Sequence, residues 1–558
     1  MASDVLFTGG AVFLGSGEPV RGLAVAVTAG RITAVVPEAD AAELLGPETR
    51  RVDLAGALLS PGFQDAHIHP ISGGVEALQC DLTAATSADD ALRRIAEYAA
   101  ANPAEPWILG GGWSMDHFPG GAPTRVLLDA LRVDGRPLDR PVLLMSRDHH
   151  SSWANTPAIE AAGLTATTPD PADGRIEREA DGFPAGTFHE GAGALFDGVK
   201  PALSAELIYR GLLHAQEQLI AQGITGWQDA WVGADGPGTG TLEAYERAIA
   251  EDTLRVHVVG AQWWERDRGL EQIAEQVARR DARAASGTAQ RFSLGTVKMM
   301  VDGVAENFTA SMIDPYLDTH GHPTCNHGIS FLDPAVLADA VAQLDAAGMQ
   351  VHFHALGDRA VRDALDAIAG ARAANGESDA RHHLAHLQVV AEADAQRFGE
   401  LGAAANLQML WATHEEQLDT LTLPFLGAGA VARQYPFGDL VRGGATIAAG
   451  SDWPVSTADP LAAIHIGVTR VGPEVEAGPL GGEAQRLTLS AALAAYTSGS
   501  AYVNHREHDT GSVREGFLAN LVVIDPNPFD LDPGALHTAR VRETWIEGER
   551  VYERARER

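Results

Sequence analysis

The stretch VHFHALGDRAV, residues 351–361, decides the fold. Its apolar run ends on His354 and gives way to a Gly-Asp turn, the punctuation of a strand handing over to a helix. RHHLAHLQVV (381–390) does the same with His386, and GGATIAAGSDWPVS (443–456) presents Asp452 just after its apolar run. The spacings are 386 − 354 = 32 and 452 − 386 = 66, matching one and two βα repeats of about 30 residues each. His354, His386 and Asp452 are therefore expected at the carboxyl ends of strands five, six and eight of a parallel barrel, the face where barrel enzymes keep their active sites.

Working upstream, LRVHVVGA (254–261) followed by LEQIAEQVARRDARAA (270–285) repeats the order of strand then amphipathic helix. Strand one is read at Ala66–Pro70 and strand four at Val297–Met300. Their separation, 298 − 67 = 231, far exceeds the roughly 90 residues that three repeats need. An insertion is required between strands one and four, and turn-rich sequence places it at about 75–205. The gap from Lys298 to His354, 56 residues, also exceeds one repeat, and the excess falls in ENFTASMIDPYLDTHGHPTCNHG (306–328), a loop able to fold over the site. Both chain ends read as short strands and turns: DVLFTGGAVF, LAVAVTAG and RITAVV at the start, GSVREGFLANLVVIDPNPFD and RVRETWIEGERVYE at the end. Residues 1–57 and 496–558 are expected to form one composite β domain, flanking an α/β (β/α)8 TIM-like barrel over 58–495.

Composition narrows the function classes. The 558 residues are 45% hydrophobic and 21% charged, ordinary globular usage. A net charge of −34 with no basic patch argues against nucleic acid. No apolar run approaches the roughly 20 residues that span a bilayer, and the start MASDVLFTGG lacks a signal-peptide pattern, so a cytoplasmic protein without membrane contact is expected. Two cysteines, Cys80 and Cys325, make neither a disulfide framework nor a thiolate cluster. A metal site would have to be built from carboxylates and the 21 histidines.

SPGFQDAHIHP contains His67 and His69, two apart, which on a strand puts both imidazoles on one face and suits chelation of one ion. Lysine poses a separate question. Lys200 and Lys298 are the only lysines among 41 basic residues, and Lys298 lies in the apolar strand GTVKMMVDG. A neutral lysine reacts with carbon dioxide to give a carbamate, an anionic two-oxygen ligand able to bridge two metals, whereas arginine with its far higher pKa offers no such route.

His67, His69, Lys298, His354, His386 and Asp452 together resemble the metal-ligand set of the amidohydrolase superfamily. The phrases AGALLSPGFQDAHIHP, RPVLLMSRDHHSSWANT, VKMMVDG, HALGDRAV, GSDWPVS and GSVREGFLANLVVID are similar to its amidohydrolase 3 branch, which includes N-substituted formamide deformylases. The resemblance spans about residues 4–553 and implies a metal-dependent barrel with a composite β-sandwich. It further implies one or two divalent ions, zinc first among them, that activate water for attack on a substrate carbonyl. His67 and His69 would hold one ion, His354 and His386 the other, with carboxylated Lys298 bridging and Asp452 acting as both ligand and base. The branch also keeps a histidine at position 150, which an insertion over the barrel mouth would point at substrate; Trp113, Trp153 and Trp411 are candidates for an apolar wall. Two departures stand out: Ala385 where the branch usually has Glu, and Asn520 where it usually has Asp. The expected reaction is hydrolysis of a C–N bond in an N-acyl or N-formyl amine, a small-molecule substrate. Lactone or ester hydrolysis and metal-assisted decarboxylation are the alternatives on such a scaffold. A non-catalytic role would be favoured by lost ligands, yet every expected position is filled. A homodimer is compatible with this reading, dimers being common for such barrels.

Overall fold

The computed structural model describes residues 2–233 and 239–555. Eight parallel strands form one sheet in strict chain order: Phe63–Ile68, Ile224–Val232, His257–Trp263, Phe292–Met300, Gln350–Ala355, His383–His386, Ala404–Leu407 and Thr446–Ala449. The ring nearly closes where strand eight meets strand one. Asp452 N–H donates to His67 O at 2.8 Å, and His69 N–H donates to Trp453 O at 2.9 Å. Gly450 permits this approach, since a Cβ there would stand 2.6 Å from His67 Cβ. Strands five, six and eight thus end beside His354, His386 and Asp452 as the spacing predicts.

The barrel interior is polar below the mouth, unlike the branched aliphatic layers that usually fill such barrels. Period-two alternation on strand five sends Gln350, His352 and His354 inward in ascending order. At the bottom, Gln350 Nε2 donates to Arg381 O and Val503 O, both at 2.8 Å, while its Oε1 accepts from Thr296 Oγ1 at 2.7 Å and Gln228 Nε2 at 3.2 Å. One step higher, His383 Nε2 lies 2.9 Å from Gln228 Oε1 and its Nδ1 3.3 Å from Asn406 Nδ2. Buried polar groups are tolerable only when so paired.

The two chain ends build a sandwich. A four-stranded sheet (Arg31–Pro37, Leu23–Thr28, Val5–Thr8, Arg50–Asp53) faces a six-stranded one that includes Leu58–Pro61, Leu521–Asp525 and Arg540–Ile546. Alternation again sorts the side chains: Val25 and Val27 join Leu59, Val523 and Trp545 between the sheets, whereas Ala24 and Ala26 pack on Ala41 of the 3-10 helix Glu38–Leu44. The amino-terminal share runs to Pro61, because Leu58–Pro61 pairs antiparallel with Leu521–Asp525, so it extends past 57. Residues after 495 do not enter the sandwich at once. Ala495–Val503 continues as helix against barrel strands one and eight, and sandwich core resumes at Val513.

The insertion lies between strands one and two. After helix Pro70–Ala77, a six-stranded sheet runs from Cys80–Asp81 to Pro184–Glu190, and the chain rejoins the barrel at helix Ala205–Ala221. The segment 301–333 after strand four holds no helix or paired strand and leans on the insertion. Thr309 Oγ1 donates to Glu190 Oε1 at 2.6 Å and Asn307 Nδ2 to His150 O at 3.2 Å. No helix among the described residues is long and apolar enough to cross a membrane.

Candidate metal centre

Five of the six predicted ligand side chains meet around the sixth, the Asp452 carboxylate. Its Oδ1 lies 2.9 Å from His67 Nε2 and 3.0 Å from His69 Nε2, and its Oδ2 lies 3.8 Å from His386 Nδ1. Ligand atoms of His67, His386 and Asp452 fall within 4.8 Å of one another. The His354 ring stands 4.5 Å from that of His386. Lys298 enters from strand four, its charge acting on His67, His69, His354 and His386.

The backbone turns sharply to achieve this. His386 has φ 79°, Leu387 φ 51° and Asp452 φ 56°, left-handed positions that cost about 1–3 kcal/mol each and that gather at functional sites. At Ala385 the family's Glu is missing, yet His386 is still supported. Its backbone N–H donates to Gln408 Oε1 at 2.6 Å, and its ring stacks on Trp411 at 5.5 Å and 7°.

Electrostatics leaves the imidazoles neutral. Burial and then the Lys298 charge bring His67 down to about 3, and burial first of all holds His354 and His386 well below the usual range. Burial pushes Asp452 upward, but the surrounding histidines, His67 foremost, overcome it and hold the carboxyl well below its ordinary value. Burial lowers the Lys298 ammonium to about 7, opposed by Asp452. The cluster is thus one carboxylate, four neutral imidazoles and an amine near its midpoint.

Its hydrogen bonding is incomplete in a telling way. His69 Nδ1, His354 Nδ1, both ring nitrogens of His386 and Lys298 Nζ are buried without a hydrogen-bond partner among the described residues. Each such group costs about 1–3 kcal/mol when nothing answers it. A divalent cation does answer neutral imidazole lone pairs and a carboxylate, and with no thiolate present the donor set suits zinc or a similar ion. His354 Nδ1 also faces Asp302 Oδ1 across 3.3 Å, and Asp302 in turn accepts from the N–H groups of Ser311, Leu356 and Gly357. Asp302 therefore links the loop after strand four to the turn after strand five, beside the His354 ring.

The insertion brings His150 over the mouth, 5.4 Å between ring centres from His354. Its Nδ1 contacts Glu190 Oε2 at 2.7 Å; burial opposes the imidazolium, but Glu190 outweighs it and raises the pKa to about 9. Trp411 flanks His386, its Nε1 donating to Ser456 Oγ at 3.1 Å. Trp113 is not brought to the site. It is wholly buried in the core of the inserted sheet, its Nε1 donating to Leu144 O at 2.9 Å, and Trp153 packs beside it with ring centres 6.2 Å apart. The wall is supplied instead by a residue the sequence reading passed over. Trp231, at the end of strand two, lies 4.4 Å from the His69 ring. Its backbone N–H is held by Asp229 Oδ1 at 2.9 Å. A tryptophan at a barrel strand's carboxyl end was the available signal.

The family described as "Amidohydrolase family" matches residues 50–552. The chain is 31% identical over 515 residues to the protein YtcJ of Bacillus subtilis (strain 168), covering 91% of this chain and 92% of that one. It is 26% identical to an N-substituted formamide deformylase of Arthrobacter pascens, with 95% of each chain covered. An uncharacterized metal-dependent hydrolase from Pyrococcus horikoshii OT3 shares the fold with a TM-score of 0.70 and 22% identity, over 95% of this chain and 99% of the other.

Proposed function

We propose that this chain, which belongs to the amidohydrolase family and is therefore a hydrolase, depends on divalent metal and cleaves the C–N bond of an N-acyl or N-formyl amine. The observation that carries the reading is the set of buried, unpartnered nitrogens around Asp452. His67, His69, His354, His386 and Asp452 would hold the ion or ions, with Lys298 as a carbamate between them. When bound, zinc or a similar divalent ion supplies Lewis acidity, polarising a carbonyl oxygen and lowering the pKa of water toward neutrality.

The protein's own groups do the rest. Asp452 Oδ1 faces His67 Nε2 and His69 Nε2, the side on which an ion would be held, so Oδ2 is the atom left to take the proton of the attacking water and return it to the leaving nitrogen. His150, kept protonated by Glu190, has Nδ1 committed to that carboxylate and offers Nε2–H to the substrate's acyl portion. Trp231 and Trp411 form apolar walls on either side, and the insertion with segment 301–333 limits the access of water. The Arthrobacter pascens relative is by name a formamide deformylase, which favours a small acyl group here.

Steady-state assays on matched N-formyl amines, N-acyl amines, lactones and esters test the reaction class. Amides are expected to give the highest kcat/KM; turnover of esters or lactones alone would transfer the assignment to the runner-up. Asp452→Asn preserves size and removes the proton acceptor, so kcat on the best substrate should fall by at least about two orders of magnitude. Near wild-type kcat at full metal content would assign the base to another group.

A further inference from the structure

His352 is a buried imidazole that the reaction does not use. It lies on strand five one inward position below His354, and its side chain is fully buried. Its ring makes one hydrogen bond among the described residues, Nε2 to His67 Nδ1 at 2.7 Å, while its Nδ1 is buried without a partner. The flanking Val351 and Phe353 point to the opposite, apolar face of strand five, whereas His352 sits between Gln350 and His354 on the inward face. A residue kept only to fill this space would not carry two polar nitrogens into it.

We propose that His352 is a positioning residue for the metal centre, fixing the ring orientation and tautomer of His67 through that single hydrogen bond. To hold a cation, His67 Nε2 must present a lone pair, so the ring's proton must sit on Nδ1. That proton then needs an acceptor at Nδ1, and His352 Nε2 is the atom in place. Metal-bound histidines commonly give this bond to a carboxylate or a backbone carbonyl. Here a neutral imidazole takes it, which adds no second negative charge beside Asp452.

The layer beneath explains how His352 holds still. Gln350 gives both its N–H bonds to backbone carbonyls, so its Oε1 must accept from Gln228 Nε2. That fixes Gln228 Oε1 as the acceptor from His383 Nε2–H, and His383 Nδ1 then accepts from Asn406. His383 is therefore locked in one tautomer. Its ring lies 4.0 Å from the His352 ring at 38°, a fixed plate against which His352 rests. Orientation passes from backbone through Gln350, Gln228 and His383 to His352 and on to His67.

The proposal rests on reading the cluster as a metal site, and the experiment separates the two. Zinc or cobalt(II) affinity of the wild-type chain, measured by competition with a chelator, tests the site itself; no binding there would overturn the metal reading and this inference with it. His352→Leu and His352→Gln then test the inference, because Gln places an amide oxygen near the position of Nε2 and Leu does not. Metal affinity should fall by about 10- to 100-fold in His352→Leu, the usual cost of losing such a partner, with altered cobalt(II) absorption bands. His352→Gln should recover most of the affinity and the wild-type bands. Wild-type affinity and spectrum in His352→Leu would overturn the proposal. So would an equal loss in both variants accompanied by equal falls in Tm, which would mark the residue as packing alone.

Discussion

Prolonged chelation is expected to abolish turnover of the best amide substrate, and added zinc or another divalent ion to restore it. The expectation follows from the charge inventory. The site contains one ionised carboxylate and four imidazoles that burial keeps neutral, so no protonated histidine stands beside Asp452 to polarise a carbonyl. Of the cations close by, the Lys298 ammonium is weakened by burial to about 7, and His150 is bound to Glu190 in a pair close to neutral overall. Without metal, the cluster can bind a proton but has little with which to stabilise developing negative charge, usually the largest contribution to such catalysis. Removal should also destabilise the barrel mouth, because the unpartnered nitrogens are then left buried in the folded state alone. Activity and Tm should therefore fall together on chelation and return together on metal addition. Full turnover by a preparation shown metal-free by elemental analysis would sink the mechanism.

The sequence was most legible where chemistry recurs with the period of the fold. Histidine and aspartate at strand ends, 32 and 66 residues apart, are sufficient to lay out strands five, six and eight, because each barrel repeat returns the chain to the same face. Long-range packing was not legible. Trp113 and Trp411 read alike as large aromatics, and only the fold puts one in the core of the inserted sheet and the other flat against His386. Leu58–Pro61 reads equally well as a lead-in to barrel strand one. Its pairing with Leu521–Asp525, more than 450 residues away, is what makes it sandwich. Gln408, which holds the His386 backbone, lies just after strand seven and leaves no local trace at Ala385. Nothing in the run VHFHA sets His352 apart from an ordinary core residue, and it is buried. What the sequence does not contain is the 2.7 Å contact across the barrel that gives that burial a purpose.

Lys298→Arg is expected to lose metal and activity together, although it keeps the positive charge. Lys298 Nζ is buried and unpartnered, and burial has lowered its pKa to about 7. Carbamate formation needs the neutral amine: nitrogen bonds to the carbon of carbon dioxide, one N–H proton leaves to solvent, and a carboxylate remains. With the pKa depressed, the amine is available above about pH 7 and is withdrawn as the pH falls through that value. Metal loading should accordingly rise with bicarbonate and decline on acidification. Arginine cannot follow this route, and it would fix a permanent cation among four imidazoles that need to face one of their own. Lys298→Ala should also lose metal, but short carboxylic acids supplied in solution should partly restore it by occupying the vacated space. An unmodified lysine beside a single ion predicts a different pair of numbers: one metal per chain in the wild type, and no loss of metal in Lys298→Arg. The carbamate predicts about two metals in the wild type and a marked loss in the variant. Metal content counted on those two proteins decides the matter independently of any rate, since a cation tolerated at position 298 without loss of metal leaves no bridge for the lysine to have formed.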